Sequence, residues 1–123
     1  MTDRNIVHVE FSTRDAKESA AFYQALFGWK METDEQFSYT QWDPGIPPGG
    51  GFNPVGEQAS AGDVLVYVSS DDIAADLAKA TDLGGTVLVP KTAIGEMGWF
   101  GVFKDPTGNQ VGLYTRASSS ASQ

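Results

Sequence analysis

A chain of 123 residues, 41% of them hydrophobic, has the size and composition of one packed domain, and its lack of cysteine excludes disulfides, zinc–thiolate centres, iron–sulfur clusters and a cysteine nucleophile. Sixteen acidic against eight basic residues give a net charge of −8, which argues against nucleic acid and anionic membrane surfaces as partners and reads either as solubility or as a field that favours a cationic ligand. The first residues show no basic segment followed by a long apolar run, and no stretch approaches ~18 apolar residues, so a soluble, cytoplasmic protein is expected.

Residues Ile6 to Ser12 alternate, with Val7, Val9 and Phe11 on one face and Ile6, His8, Glu10 and Ser12 on the other. The pattern predicts a strand whose polar side carries the single histidine of the chain. Asp15 followed by Glu18 is a capping-box pattern, so a helix should start near Ala16, bury a stripe of Ala20, Tyr23, Leu26 and Phe27, and end at Gly28. Strands are expected at Trp29–Thr33 and Phe37–Trp42, and a short one at Gly50–Asn53 after the Pro- and Gly-rich run that begins at Asp43. Pro54 to Gly62 has the composition of a linker.

From Asp63 the pattern repeats. Val64–Ser69 reads as a strand, and Asp72–Leu83 as a helix burying Ile73, Leu77 and Ala80 and stopped by Gly84-Gly85. Thr86–Val89 is another strand, followed by a loop over Lys91–Gly95. The stretch Trp99–Tyr114 reads as a hairpin closed by Asp105-Pro106-Thr107-Gly108-Asn109, a run with turn chemistry at every position. The segment 116–123 offers nothing to bury and is expected to be disordered.

Asp15 and Asp72, Leu26 and Leu83, and Gly28 and Gly85 are each 57 residues apart, and Val7, Val9 and Phe11 fall on Val64, Val66 and Val68 at the same offset. The turn pairs Asp43-Pro44 and Asp105-Pro106 are 62 apart. Two modules result, about 5–55 and 63–115, each a strand, a helix and three strands.

This duplicated arrangement, carried by HVEFSTRD, FYQALFGW and DPTGNQVGLY, resembles the vicinal oxygen chelate superfamily of lactoylglutathione lyases, extradiol dioxygenases, fosfomycin-modifying enzymes and bleomycin-resistance proteins. The resemblance implies an α+β fold of two tandem βαβββ modules forming a curved, cavity-enclosing mixed β-sheet, often completed by a second subunit, hence a homodimer. It also implies a divalent-metal site with ligands at equivalent positions of the two halves. Those positions are His8 and Leu65 on the first strands, and Gly50 and Gly112 on the last. One potential ligand out of four survives, whereas a catalytic ion needs roughly three. No metal and no other cofactor is therefore expected.

His8 can be a general base, a ligand contact or a structural histidine, and Glu10 shares its face. The strand aromatics Tyr39, Trp42, Tyr67, Trp99 and Tyr114 can face a cavity or pack beneath the helices. Tyr67 shares a face with Leu65, and Gln110 and Tyr114 share one with Gly112. The expected ligand set is accordingly His8, Glu10, Tyr39, Tyr67, Trp99, Gln110 and Tyr114, around a small organic or cationic molecule. The competing expectations are a metal-dependent lyase, isomerase or dioxygenase that uses His8, and a purely structural dimerisation module.

Overall fold

A computed structural model describes residues 3–56, 60 and 62–117. Part of the expected linker and positions 118–123 of the expected tail lie outside the described residues. The chain divides into two compact units, one built on Val7–Val66 and the other on the residues from Tyr67 onward with the short segment before Val7. The fold is α+β, and each half has the element order that the repeat predicts.

The first half comprises β1 (Ile6–Thr13), α1 (Ala16–Phe27), β2 (Lys30–Asp34), β3 (Tyr39–Asp43) and β4 (Gly49–Pro54). Its strands lie in the order β2-β3-β4-β1, with β4 parallel to β1 and antiparallel to β3. Asp15 caps α1 by accepting from the Glu18 amide, and Gly28 ends it in the left-handed conformation at φ 76°. The apolar face of this half is an aromatic stack. Phe11 lies 5.3 Å from Trp42 and 5.4 Å from Tyr23, Trp29 lies 4.4 Å from Trp42, and Phe52 is buried beside them. Ring pairs at such distances stabilise by about 0.5–1.5 kcal/mol each beyond their area burial.

The expected burial of Leu26 and Phe27 is not observed. Both are more than half exposed, as is Phe22; Phe27 lies at the rim of the stack, 5.0 Å from Trp29 and 6.1 Å from Tyr23, while Tyr23 reaches in to Phe11 and Phe52. Phe37 and Ser38 belong to the β2–β3 turn rather than to β3, since Asp34 accepts from the Gln36 and Phe37 amides and Ser38 takes a φ of 51°.

The second half comprises β5 (Val64–Ser69), α2 (Ile73–Asp82), β6 (Thr86–Ala93), β7 (Gly98–Lys104) and β8 (Gln110–Arg116), with strands ordered β5-β8-β7-β6. Ile73 and Leu77 of α2 are buried against Leu113, with Val68 and Phe103 packed alongside. Gly101 permits this approach, because a Cβ there would lie 3.0 Å from Ile73 and 3.2 Å from Leu77. β6 runs to Ala93, through residues expected in a loop. It is an edge strand with two register irregularities, a position that tolerates Pro90. β8 likewise extends through Arg116, one residue into the segment expected to be disordered.

Among the described residues neither half closes its sheet, since β2 and β6 keep a free edge. The cavity of the first half is an open cleft rather than an enclosure.

Candidate functional site

Strand alternation in the first half separates two chemistries. Val9, Phe11, Trp42 and Phe52 form the aromatic face. His8, Glu10, Tyr39, Gln41 and Asp43, with Lys30 and Glu32, occupy the other. Cross-strand register arranges this polar face in rows. His8 lies opposite Gly49, the residue before the Gly50 that pairs with Trp42, and Asp43 lies opposite Lys30. In the next row Glu10 lies opposite Gly51, Gly51 opposite Gln41, and Gln41 opposite Glu32.

Tyr39 stands one row further along and leans back over Gly51. Its phenol is 2.8 Å from Nε2 of His8 and donates to Oε2 of Glu10 at 2.5 Å, while the His8–Glu10 separation is 3.8 Å. An ionised carboxylate accepts and cannot donate, so the one phenol proton goes to Glu10, and Nε2 of His8 must carry the hydrogen that reaches the Tyr39 oxygen. This chain holds the Glu10 carboxylate in an environment only 9% exposed. Charge-assisted hydrogen bonds of this kind are roughly twice as strong as neutral ones.

The seven expected binding residues are thus not one constellation. His8, Glu10 and Tyr39 come together in the first half. In the second, Tyr67 packs over Gly112, and Tyr114 donates its phenol proton to the Met97 carbonyl at 3.0 Å. Burial raises the Tyr114 pKa above the ordinary tyrosine value, against the smaller opposing pull of Arg116. Trp99 is exposed beneath the Lys91 ammonium, which lies 5.2 Å from its ring centroid, and Gln110 is an exposed residue at the start of β8. Trp42 stacks on Phe11 and Trp29 and donates its indole N–H to the Gly51 carbonyl at 3.2 Å, so of its ring only part borders the cleft.

The cleft has a volume of about 520 Å³ and is lined by His8, Lys30, Glu32, Gln41, Asp43 and Gly49, with Met31, Trp42 and Gly50. Sequence reasoning missed Lys30, Glu32, Gln41 and Asp43. Their signal was the alternation of β2 and β3, which puts Lys30 and Glu32, and Gln41 and Asp43, on one face of each strand.

One inferred equivalence also changes. Trp42 pairs with Gly50 and Gln41 with Gly51, whereas Phe103 pairs with Val111 and Val102 with Gly112. Phe103, like Trp42, faces its helix-side core. The counterpart of Gly112 is therefore Gly51, at an offset of 61, and not Gly50. Gly50 instead faces the aromatic side, where a Cβ would meet the Trp42 ring and the Val9 carbonyl.

The sequence model of the glyoxalase-like domain family matches residues 8–114, and the chain belongs to that family. It is 29% identical over 123 residues to "Putative glyoxylase CFP32" of Mycobacterium bovis, an alignment covering 86% of this chain and 43% of that protein. The chain therefore spans less than half the length of the curated relatives it matches.

Among solved structures it is similar to a glyoxalase/bleomycin resistance protein/dioxygenase superfamily member from Vibrio splendidus, with a TM-score of 0.63, 13% identity, and coverage of 90% of this chain and 97% of that one. Methylmalonyl-CoA epimerase from Mycobacterium tuberculosis gives a TM-score of 0.67 at 13% identity, covering 96% and 91% of the two chains. The Streptomyces coelicolor methylmalonyl-CoA epimerase in complex with 2-nitronate-propionyl-CoA gives 0.64 at 22% identity, covering 96% and 100%. These likenesses define the fold.

The residues at the ligand positions that the family resemblance implies do not fit a divalent ion. The two late-strand positions are Gly51 and Gly112, which have no donor side chain, and in each half a tyrosine fills the space above the glycine. A Cβ on Gly51 would lie 1.9 Å from the Tyr39 hydroxyl oxygen, and one on Gly112 would lie 2.4 Å from the Tyr67 ring. Leu65 donates nothing, and His8 directs Nε2 at Tyr39.

Proposed function

We propose that the protein is a metal-independent member of the glyoxalase-like family that binds a small organic molecule on the polar face of its first half. The observation that carries this reading is the paired replacement just described, with a glycine at each late-strand ligand position and a tyrosine over it. What stands there is a hydrogen-bonding group, the Tyr39 phenol held by Glu10 and His8, beside a cleft of about 520 Å³. That volume lies within the ~300–1,000 Å³ of typical small-molecule sites. The charge of −8 supports an organic partner over nucleic acid or an anionic membrane. Among the described residues no helix is long and apolar enough to cross a membrane, which is compatible with the cytoplasmic location we infer.

A second copy of the chain is the macromolecular partner of this reading. Phe22, Leu26 and Phe27 are more than half exposed on α1, and residues 19–29 carry no charge, so two copies of an acidic chain can meet there without opposing like charges. Sedimentation equilibrium tests this, and a monomer at high micromolar concentration rules it out.

The test of the main reading combines metal analysis of the purified protein with a thermal-shift screen of organic metabolites in the presence of EDTA. Substoichiometric metal together with ligand-dependent stabilisation in EDTA is expected, because a molecule that binds the native state raises the midpoint by mass action. Stoichiometric nickel, zinc, manganese or iron overturns it in favour of a metal-dependent lyase, isomerase or dioxygenase.

A further inference from the structure

The lining of the cleft specifies a charge pattern. Lys30 and Asp43 are direct cross-strand partners, yet they form no ion pair within 4 Å. Asp43 spends one carboxylate oxygen on the Gly45 amide at 2.8 Å, and Lys30 is exposed. Glu32 lies two residues along β2 on the same face, roughly 7 Å from Lys30 at the usual strand rise, and the Gln41 amide stands opposite it. Gly49, opposite His8, adds no side chain to the cleft that Lys30, Glu32 and Asp43 line, so a molecule seated there meets the ammonium and both carboxylates.

The lining thus presents two negative groups and one positive group, all from the first half of the chain. The complementary ligand has the inverse pattern. We propose that this cleft binds a basic amino acid, or a small molecule with its charge pattern of two cationic groups and one carboxylate. The ligand carboxylate meets Lys30, its α-ammonium meets Asp43, and its side-chain cation reaches Glu32, a span that an arginine or lysine side chain covers.

The same lining disfavours polyanions. A coenzyme A ester of the kind bound in the Streptomyces structure would bring its phosphates to two carboxylates and a single lysine, on a chain of net charge −8. The fold is shared with that epimerase, but the charges are not suited to such a ligand.

The experiment is calorimetric titration of the whole chain in EDTA with L-arginine, with agmatine (which lacks the carboxylate), with L-glutamate and with coenzyme A. Saturable binding of L-arginine is expected, with weaker binding of agmatine and none of L-glutamate or coenzyme A. Asp43→Asn and Glu32→Gln should weaken L-arginine by about tenfold or more, the usual effect of losing a hydrogen bond to a charged group. Lys30→Gln should weaken L-arginine by a similar factor and leave agmatine binding no weaker. All three residues are exposed, and circular dichroism checks that the variants fold.

No binding of L-arginine, equal binding by wild type and all three variants, or preferential binding of coenzyme A overturns the proposal. It rests on the metal-independent reading, and the two fail differently. If L-arginine binds only after nickel or zinc is added, that reading fails. If L-arginine does not bind while other organic compounds stabilise the protein in EDTA, the charge pattern alone fails.

Discussion

Replacing Gly51 by alanine tests whether the Tyr39 phenol is held where the structure places it. The new Cβ would lie 1.9 Å from the Tyr39 hydroxyl oxygen, 2.3 Å from Cζ and 2.9 Å from Cε2, so the ring must move. Moving it breaks the 2.8 Å contact with His8 and the 2.5 Å hydrogen bond to Glu10, whose carboxylate is nearly buried. Overpacking costs about 1–3 kcal/mol, and a lost hydrogen bond to a charged group about 1.5–3 kcal/mol. Partial relaxation makes the sum an upper bound, and about 2–4 kcal/mol is expected, a large part of the ~5–15 kcal/mol that stabilises an ordinary domain.

The decisive comparison is a double-mutant cycle with Tyr39→Ala, which removes the obstructing ring. In that background Gly51→Ala should cost less than about 0.5 kcal/mol, giving a coupling of ~1.5 kcal/mol or more. Urea unfolding followed by tryptophan fluorescence and by circular dichroism supplies both numbers, provided the slope with denaturant is unchanged. A cost below about 0.5 kcal/mol in the wild-type background, or the same cost in both, would refute the placement of Tyr39 over Gly51 and with it the main support for a metal-independent site.

Gly112→Ala makes the matching test in the second half, where a Cβ would sit 2.4 Å, 2.5 Å and 3.0 Å from three atoms of the buried Tyr67 ring; a loss of about 1–3 kcal/mol in the same urea assay is expected, and a neutral result removes Tyr67 from that position. Asp15→Ala, which deletes the acceptor for the Glu18 amide, should cost about 1 kcal/mol by urea unfolding, and Asp15→Asn should restore most of it.

The Asp105 carboxyl is held below its ordinary pKa, first by the Asn109 backbone amide, then by the Asn109 side chain and by Thr107. A lowered folded-state pKa stabilises above the unfolded value of about 3.9, and the gain is lost as pH falls through the folded value. Asp105→Asn should therefore flatten the decline of the thermal midpoint below about pH 4, and an unchanged acid limb refutes the assignment. Tyr114, with its pKa raised by burial, works at the other end. Its contribution is present below the unfolded value of about 10 and lost as pH rises through the folded one, so Tyr114→Phe should reduce the alkaline loss of stability in the same midpoint assay.

Local chemistry made much of the fold legible. Asp15 with Glu18 marked the start of α1, Gly28 its end, and the run Asp105–Asn109 the last turn, because caps and turns depend on neighbours a few residues away. Alternation likewise placed His8 and Glu10 on one face of β1. The readings that failed depend on what packs where. Leu26 and Phe27 have helical spacing for burial, but Tyr23, Trp29 and Trp42 fill the stack, so Phe27 only covers its rim and Leu26 stays more than half exposed. The strand read as Thr86–Val89 runs on to Ala93, because an edge position accommodates Pro90.

The sequence by itself determined that the chain is a duplicated βαβββ protein, that it has no thiol chemistry, and that three of the four ligand positions the family resemblance implies carry no donor side chain. These follow from residue identity and spacing, which fold and unfolded chain share. Only the tertiary structure decided which glycine stands opposite which strand residue, because register is set by hairpin geometry and shifts every side chain by one face per residue. That moved the relevant position from Gly50 to Gly51, brought Tyr39 between His8 and Glu10 from 31 and 29 residues away, and gathered Lys30, Glu32 and Asp43 around one cleft. A hydrogen bond between residues that distant in sequence has no local signature, since the chain must fold before the groups that form it meet.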